Sequence, residues 1–152
     1  MKKFLFLFFL LITNQNFAQL NTFTFEEAEI LSIENPKPFV IFIHTDWCKI
    51  CKMMENTTFK NQEILKELNR NFYFISFNAE TKIDINFNKY TFKFKPKGTN
   101  SGIHELAEEL SNQIYPTLTI LNFDYSFLTQ IESFLNAKEL LQILKKACQT
   151  KP

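Results

Sequence analysis

Hydrophobic and polar positions divide the chain into strand-like and helix-like stretches. Phe39-Val40-Ile41-Phe42-Ile43-His44 is an almost unbroken apolar run of strand length, the pattern of a strand covered on both faces. Phe72 to Asn78, Thr117 to Leu121 and Phe127 to Ile131 read as three more strands, the last two joined by a turn at Asn122-Phe123-Asp124-Tyr125. Helical spacing appears after Thr24, where a capping residue and two acids precede Ala28, Leu31 and Ile33, and Asn35-Pro36-Lys37-Pro38 ends that helix. A second helix runs from Cys48 through Glu55, is interrupted near Asn56-Thr57-Thr58, and resumes from Asn61 to Asn69 with Ile64, Leu65 and Leu68 inward. Gly102 to Asn112 reads as a short helix with Ile103, Leu106, Ala107 and Leu110 on one face. Asn136 caps a last amphipathic helix from Ala137 to about Cys148. Strands and helices alternating in this order predict an α/β domain, a central mixed sheet of four to five strands with helices on both faces.

One stretch fits neither pattern simply. Between Thr81 and Ser101, Ile83, Ile85, Phe87, Tyr90, Phe92 and Phe94 alternate with polar residues before Pro96-Lys97-Gly98, which predicts one or two added strands or an ordered loop. Phe87, Tyr90, Phe92 and Phe94 could there form an exposed apolar stripe for a partner. With only Gly98 and Gly102 as glycines, turns elsewhere fall to Asn, Asp, Lys and Pro.

The N-terminus has its own logic. Lys2-Lys3, the apolar stretch Phe4 to Ile12 and a small residue at Ala18 form the three-part layout of a secretory signal. The apolar run is short of the roughly 20 residues that span a bilayer, so cleavage after Ala18 is expected, with residues 1–18 as signal peptide and 19–152 as one domain outside the cytoplasm, periplasmic or secreted. A formal net charge of +1 gives no hint of a polyanionic partner and so disfavours nucleic-acid binding, and 152 residues suffice for one ordinary core.

The chemistry lies at Trp47-Cys48-Lys49-Ile50-Cys51-Lys52, directly after the first strand. Two cysteines three apart on a helical turn can bring their sulfurs within bonding reach, so the pair can cycle between dithiol and disulfide. Cys48 falls at the helix N-terminus, where unpaired backbone N–H groups and the helix dipole favour a thiolate, and Lys49 and Lys52 add positive charge. It is therefore expected to be the attacking, more exposed thiol, with Cys51 one turn further in as the buried resolving thiol. Trp47 either presents a flat apolar surface to substrate or caps the core. Covalent haem attachment would need His where Lys52 stands. A structural zinc site would want four ligands, and beyond the pair only Cys148, His44 and His104 are available, so neither a metal nor another cofactor is expected. Cys148 reads as a small terminal thiol, His104 as a residue capping or flanking the short helix, and Met53 and Met54 as packing.

From Phe23 to Ala147 the chain resembles the thioredoxin-fold family. The W-C-x-x-C-K motif at the end of the first central strand carries the likeness, together with Ile114-Tyr115-Pro116-Thr117 leading straight into an apolar strand. The region from Asp46 to Phe59 is similar to secreted bacterial thioredoxin-like proteins and to the periplasmic domain of the membrane thiol reductase. Residues of about 81–103 are similar to an insertion before the cis-proline loop in some secreted members. The resemblance implies a cis Pro116 and a Tyr115 backbone that faces the disulfide and pairs with an extended substrate. It also implies that the buried acid of classical members falls at Phe42, which carries no proton; Asp46 and Glu80 are then the candidate acids near Cys51. Lys49-Ile50 replaces the family's Gly-Pro. The implied activity is thiol-disulfide exchange with protein disulfide or dithiol partners, with a membrane thiol reductase as the electron donor if the direction is reduction, toward which the reading leans. The alternative is a non-catalytic thioredoxin-fold module that binds a partner and keeps a structural disulfide.

Overall fold

A computed structural model describes residues 19–99 and 101–149; the expected signal peptide at residues 1–18 lies outside the described residues. The central sheet is built on β1 (Phe39–His44), all six residues of which are buried. It pairs in parallel with β2 (Tyr73–Asn78), from Phe39↔Tyr73 to His44↔Asn78. On its other side it pairs antiparallel with β7 (Thr117–Leu121), which in turn pairs antiparallel with β8 (Phe127–Ile131). The strand order is β2-β1-β7-β8, a mixed four-stranded sheet.

Because side chains alternate across a strand, β1 feeds two cores. Phe39, Ile41 and Ile43 enter one cluster with Phe25, Ala28, Tyr73, Ile75, Leu106 and Leu110. Val40 and Phe42 enter the other with Cys51, Met54, Ile64, Leu68, Leu140 and Leu144. The first layer is covered by α1 (Phe25–Glu34) and α4 (Glu105–Leu110), the second by α2 (Lys49–Asn56), α3 (Gln62–Asn71) and α5 (Ala137–Gln149). Each fully buried Phe, Ile or Leu contributes about 1.5–3 kcal/mol of burial, so the continuous apolar run of β1 accounts for its central place.

Caps match the polar punctuation. Thr24 and Glu27 form a reciprocal capping box on α1, and Asn136 with Glu139 forms the same pair on α5. The break after α2 is a short 3₁₀ turn, Thr58–Lys60, pinned where the Thr58 hydroxyl donates to the Leu135 carbonyl, and Asn61 then caps α3.

Three expectations need correcting. In α1, Phe25 and Ala28 are buried, whereas Leu31 is exposed and Ile33 is 82% exposed. The inward face is set by Phe25, which packs edge-on to Phe77 and Phe87, with Ala28 one turn on, while Glu29 beside them accepts from Asn88 N and the Tyr125 hydroxyl. The 81–103 segment forms two small hairpins, β3 (Ile85–Phe87) with β4 (Tyr90–Phe92), and β5 (Phe94–Pro96) with β6 (Gly102–His104). Asn88 and Lys89, both at positive φ, make the first turn. Phe87 is buried against Phe25, Phe39 and Tyr125 and Tyr90 is exposed, so the aromatic residues do not line one exposed stripe. The short helix begins at Glu105 because Gly102 to His104 are drawn into the ladder with Phe94 and Lys95; a Cβ at Gly102 would collide with the Phe94 ring and the Lys95 carbonyl.

His104 is the N-cap of α4 and is fully buried. Its Nδ1 accepts from Leu106 N, which leaves Nε2 to donate to the Ile83 carbonyl at 3.1 Å. Burial holds its pKa below the ordinary imidazole value of 6.5, against the Ile83 bond and the charges of Glu105 and Asp84. A lowered pKa means that the unfolded chain binds the proton more readily, so this stabilisation is present above the unfolded value and lost as pH falls through it. Urea unfolding from about pH 7 to about pH 5 should show falling stability, by at most about 1.4 kcal/mol per pH unit for this group, and His104→Asn, which keeps a cap without a titrating ring, should flatten the slope.

Candidate active site

The strand-to-helix junction places the cysteine pair. Cys48 is the N-cap of α2, and its Sγ accepts from the backbone N–H of Cys51 at 3.1 Å. The two residues form a disulfide with Cα atoms 5.3 Å apart. Cys48 keeps 6% of its surface and Cys51 none, the latter packed among Val40, Phe42 and Met54. The α2 N-terminus directs backbone N–H groups at the outer sulfur, an arrangement that favours negative charge there when the pair is reduced.

Around the pair lies an apolar rim. Trp47 is 66% exposed, so it does not cap the core; its ring meets Tyr115 edge-on at 6.2 Å, and its Nε1 donates to Glu80 Oε1 at 3.1 Å. Ile50 and Ile114 are half exposed, and Met53 stands out from α2 one turn after Ile50, so of the two methionines only Met54 packs inward. The reason is helical phase: Met54 falls one turn after Cys51 on the buried side, and Met53 does not. The Tyr115–Pro116 peptide bond is cis, and Tyr115 packs against the edges of both cores. Burial, and next the Glu80 charge, push the Tyr115 hydroxyl pKa up. Lys49 is exposed and Lys52 pairs with Glu55 at 2.9 Å, so only Lys49 carries a positive charge that no ion pair offsets within the motif.

Of the two carboxylates considered near Cys51, Glu80 is occupied in holding Trp47, and Asp46 lies exposed in the turn before the motif. Phe42 is buried, edge-on to Phe59 and stacked on His44. Cys148 lies on α5 with its Sγ 3.8 Å from Glu67 Oε1 of α3, and His104 lies in the opposite layer against Phe77. Among the described residues no group of three or more His, Cys, Asp or Glu is placed to hold a metal ion, and no helix is long and apolar enough to cross a membrane.

One residue at the end of β1, four positions before Cys48, escaped the sequence reading except as a possible metal ligand. His44 closes β1, is 8% exposed, and shares a 3.1 Å hydrogen bond between Nε2 and the Ser76 hydroxyl. Its Nδ1 is buried with no hydrogen-bond partner among the described residues, as is the hydroxyl of neighbouring Thr45. A signal for it did exist: a titratable residue ending a fully buried strand, two positions from Phe42 and so on the same face.

The DsbH oxidoreductase superposes with a TM-score of 0.64 at 15% identity, covering 93% of this chain and 94% of that one. A thioredoxin from Thermus thermophilus gives 0.63 at 18% identity, covering 86% and 88%. The C-terminal domain of DsbD from Neisseria meningitidis, in its reduced form, gives 0.52 at 20% identity, covering 78% and 89%. A search of curated proteins finds no match. The thioredoxin-like domain family matches residues 25–148, which takes in the sheet, the cysteine pair and the Tyr115-Pro116 loop. With that match and this fold, the chain belongs to the thioredoxin-like domain family.

Proposed function

We propose that the protein is a thiol-disulfide oxidoreductase acting on protein disulfides outside the cytoplasm. The observation that carries this reading is Cys48 Sγ at the N-cap of α2, hydrogen-bonded by the Cys51 N–H and ringed by exposed apolar side chains. In the reducing direction, the Cys48 thiolate attacks one sulfur of a substrate disulfide. A mixed disulfide forms and the first substrate thiolate leaves. Cys51 then attacks Cys48 Sγ, closes the intramolecular disulfide and releases the second substrate thiolate, so two electrons pass to the substrate. Trp47, Ile50 and Tyr115 supply the apolar surface, and the backbone at Tyr115-Pro116 offers pairing to an extended segment. Lys49 adds positive charge beside the attacking sulfur.

Reduction is the favoured direction. Support comes from the likeness in fold to the DsbD C-terminal domain and to the DsbH oxidoreductase, and a membrane thiol reductase is the proposed electron donor. The basic and apolar start of residues 1–18 supports export to the periplasm or beyond.

Insulin reduction with a chemical reductant tests the activity. Wild-type protein should accelerate precipitation of the insulin chains, Cys48→Ser should abolish the effect, and Cys51→Ser should trap a covalent adduct on Cys48. Wild-type activity no greater than that of the two variants would leave a binding module with a structural disulfide. Trp47→Ala should change stability by about 0.5 kcal/mol or less, given its exposure, while lowering kcat/KM for insulin severalfold. Equal kcat/KM in that variant would remove Trp47 from the substrate surface.

A further inference from the structure

Resolution through Cys51 raises a question of proton transfer. Its sulfur is fully buried among apolar side chains, and a thiol must lose its proton before it attacks. Desolvation raises the pKa of a buried thiol, which makes unaided ionisation harder.

His44 meets the requirements for the missing acceptor. On β1 it follows Val40 and Phe42 in the alternation, on the face that packs against the cluster containing Cys51. Its ring stacks on Phe42 with centroids 5.4 Å apart. The charged groups acting on it are Glu55 and Lys52 of α2, the helix that carries Cys51, and Asp46 of the turn before it; on β2, Ser76 is its hydrogen-bond partner and Asn78 its neighbour in register. Since Nδ1 has no partner and is sealed from solvent, the neutral tautomer that fits donates from Nε2 to Ser76 and leaves the Nδ1 lone pair available. Ser76 itself is exposed and lines a cavity of about 570 Å³ with Phe42, Glu55 and Phe59, so the far side of the imidazole leads to water.

Resting on the oxidoreductase reading above, we propose that His44 accepts the Cys51 proton in the resolving step, at Nδ1 and through one bridging water, and passes a proton to solvent by way of Nε2 and Ser76. The Cys51 thiolate then forms the bond to Cys48 Sγ while the bond from Cys48 to the substrate sulfur breaks. The departing thiolate carries the electron pair and takes its proton from solvent, and the imidazolium returns to neutral by releasing its Nε2 proton toward Ser76. Burial, the largest influence, holds the His44 pKa below 6.5 and Lys52 acts in the same sense, against Glu55, Asp46 and the Thr45 backbone. The ring is thus neutral and able to accept near pH 7.

A reaction that isolates this step uses the reduced protein and an aromatic disulfide that releases coloured thionitrobenzoate, with Cys148→Ser in every variant so that only the pair reports. The first release is attack by Cys48 and depends on reagent concentration; the second is resolution by Cys51 and does not. In His44→Gln the second phase should slow about 100-fold near neutral pH, with the gap closing in alkali where Cys51 ionises unaided, and the first phase should be unchanged. If circular dichroism shows that His44→Gln does not fold, Ser76→Ala, exposed and on an edge strand, takes its place and should slow the second phase severalfold. Second-phase rates equal to wild type at every pH, or an equal slowing of both phases, would overturn the assignment. Because the probe is a small disulfide, a protein that closes its pair normally yet leaves insulin untouched loses the oxidoreductase reading without affecting this result.

Discussion

The structure depends on the junction between a strand that is buried on both faces and a helix that starts within a few residues of its end. Hydrophobic burial holds β1 in the centre of the sheet, and that position sets where α2 begins. Once α2 begins at Lys49, its unpaired N–H groups must find a partner, and the Cys48 sulfur takes one of them. The same geometry that satisfies a helix end therefore prepares a sulfur to carry negative charge. Structural economy and reactivity come here from one interaction.

From that junction the two cysteines acquire different characters. Cys48 stands at the cap with solvent on one side and the rim of Trp47, Ile50 and Tyr115 around it. Cys51 falls one turn later, on the side of α2 that packs against Val40 and Phe42. Exposure and helix polarity thus separate an outer sulfur from an inner one, while Tyr115, just before β7, meets the ring of Trp47 beside the outer cysteine. Glu80 ties this rim to the end of β2, so the loops after β1 and β2 and the loop before antiparallel β7 converge on one patch.

Much of this was legible in the sequence because it follows from strong local signals. An unbroken apolar run, a cysteine at a helix start and Thr or Asn before acidic first turns each have a single physical reading, and β1, the Cys48 cap and the capping boxes of α1 and α5 lie where those signals put them. What was less legible depended on tertiary partners. The inward face of α1 is set by Phe25 and Ala28, and the Phe25 partners Phe77 and Phe87 lie far along the chain; the start of α4 is delayed by strand pairing through Gly102 and His104. Phe87 and Tyr90 are paired across the turn at Asn88-Lys89, yet one is core and the other exposed because Phe87 of β3 packs against Phe25, Phe39 and Tyr125 while Tyr90 lies on the outer strand of the hairpin. His44 was hidden by its surroundings: at the end of an apolar run it reads as a strand terminus, and only the fold shows the imidazole buried beside Phe42 with one nitrogen unpartnered.

The central claim is that the α2 N-terminus makes Cys48 the acidic, attacking thiol of the pair. Alkylation of the reduced protein by iodoacetamide across pH, with the modified residue located by mass spectrometry, tests it most directly. Cys48 should be modified first, with an apparent pKa below the value of about 8.5 of a free thiol. First modification at Cys51, or a Cys48 pKa at or above that of a free thiol, would contradict it.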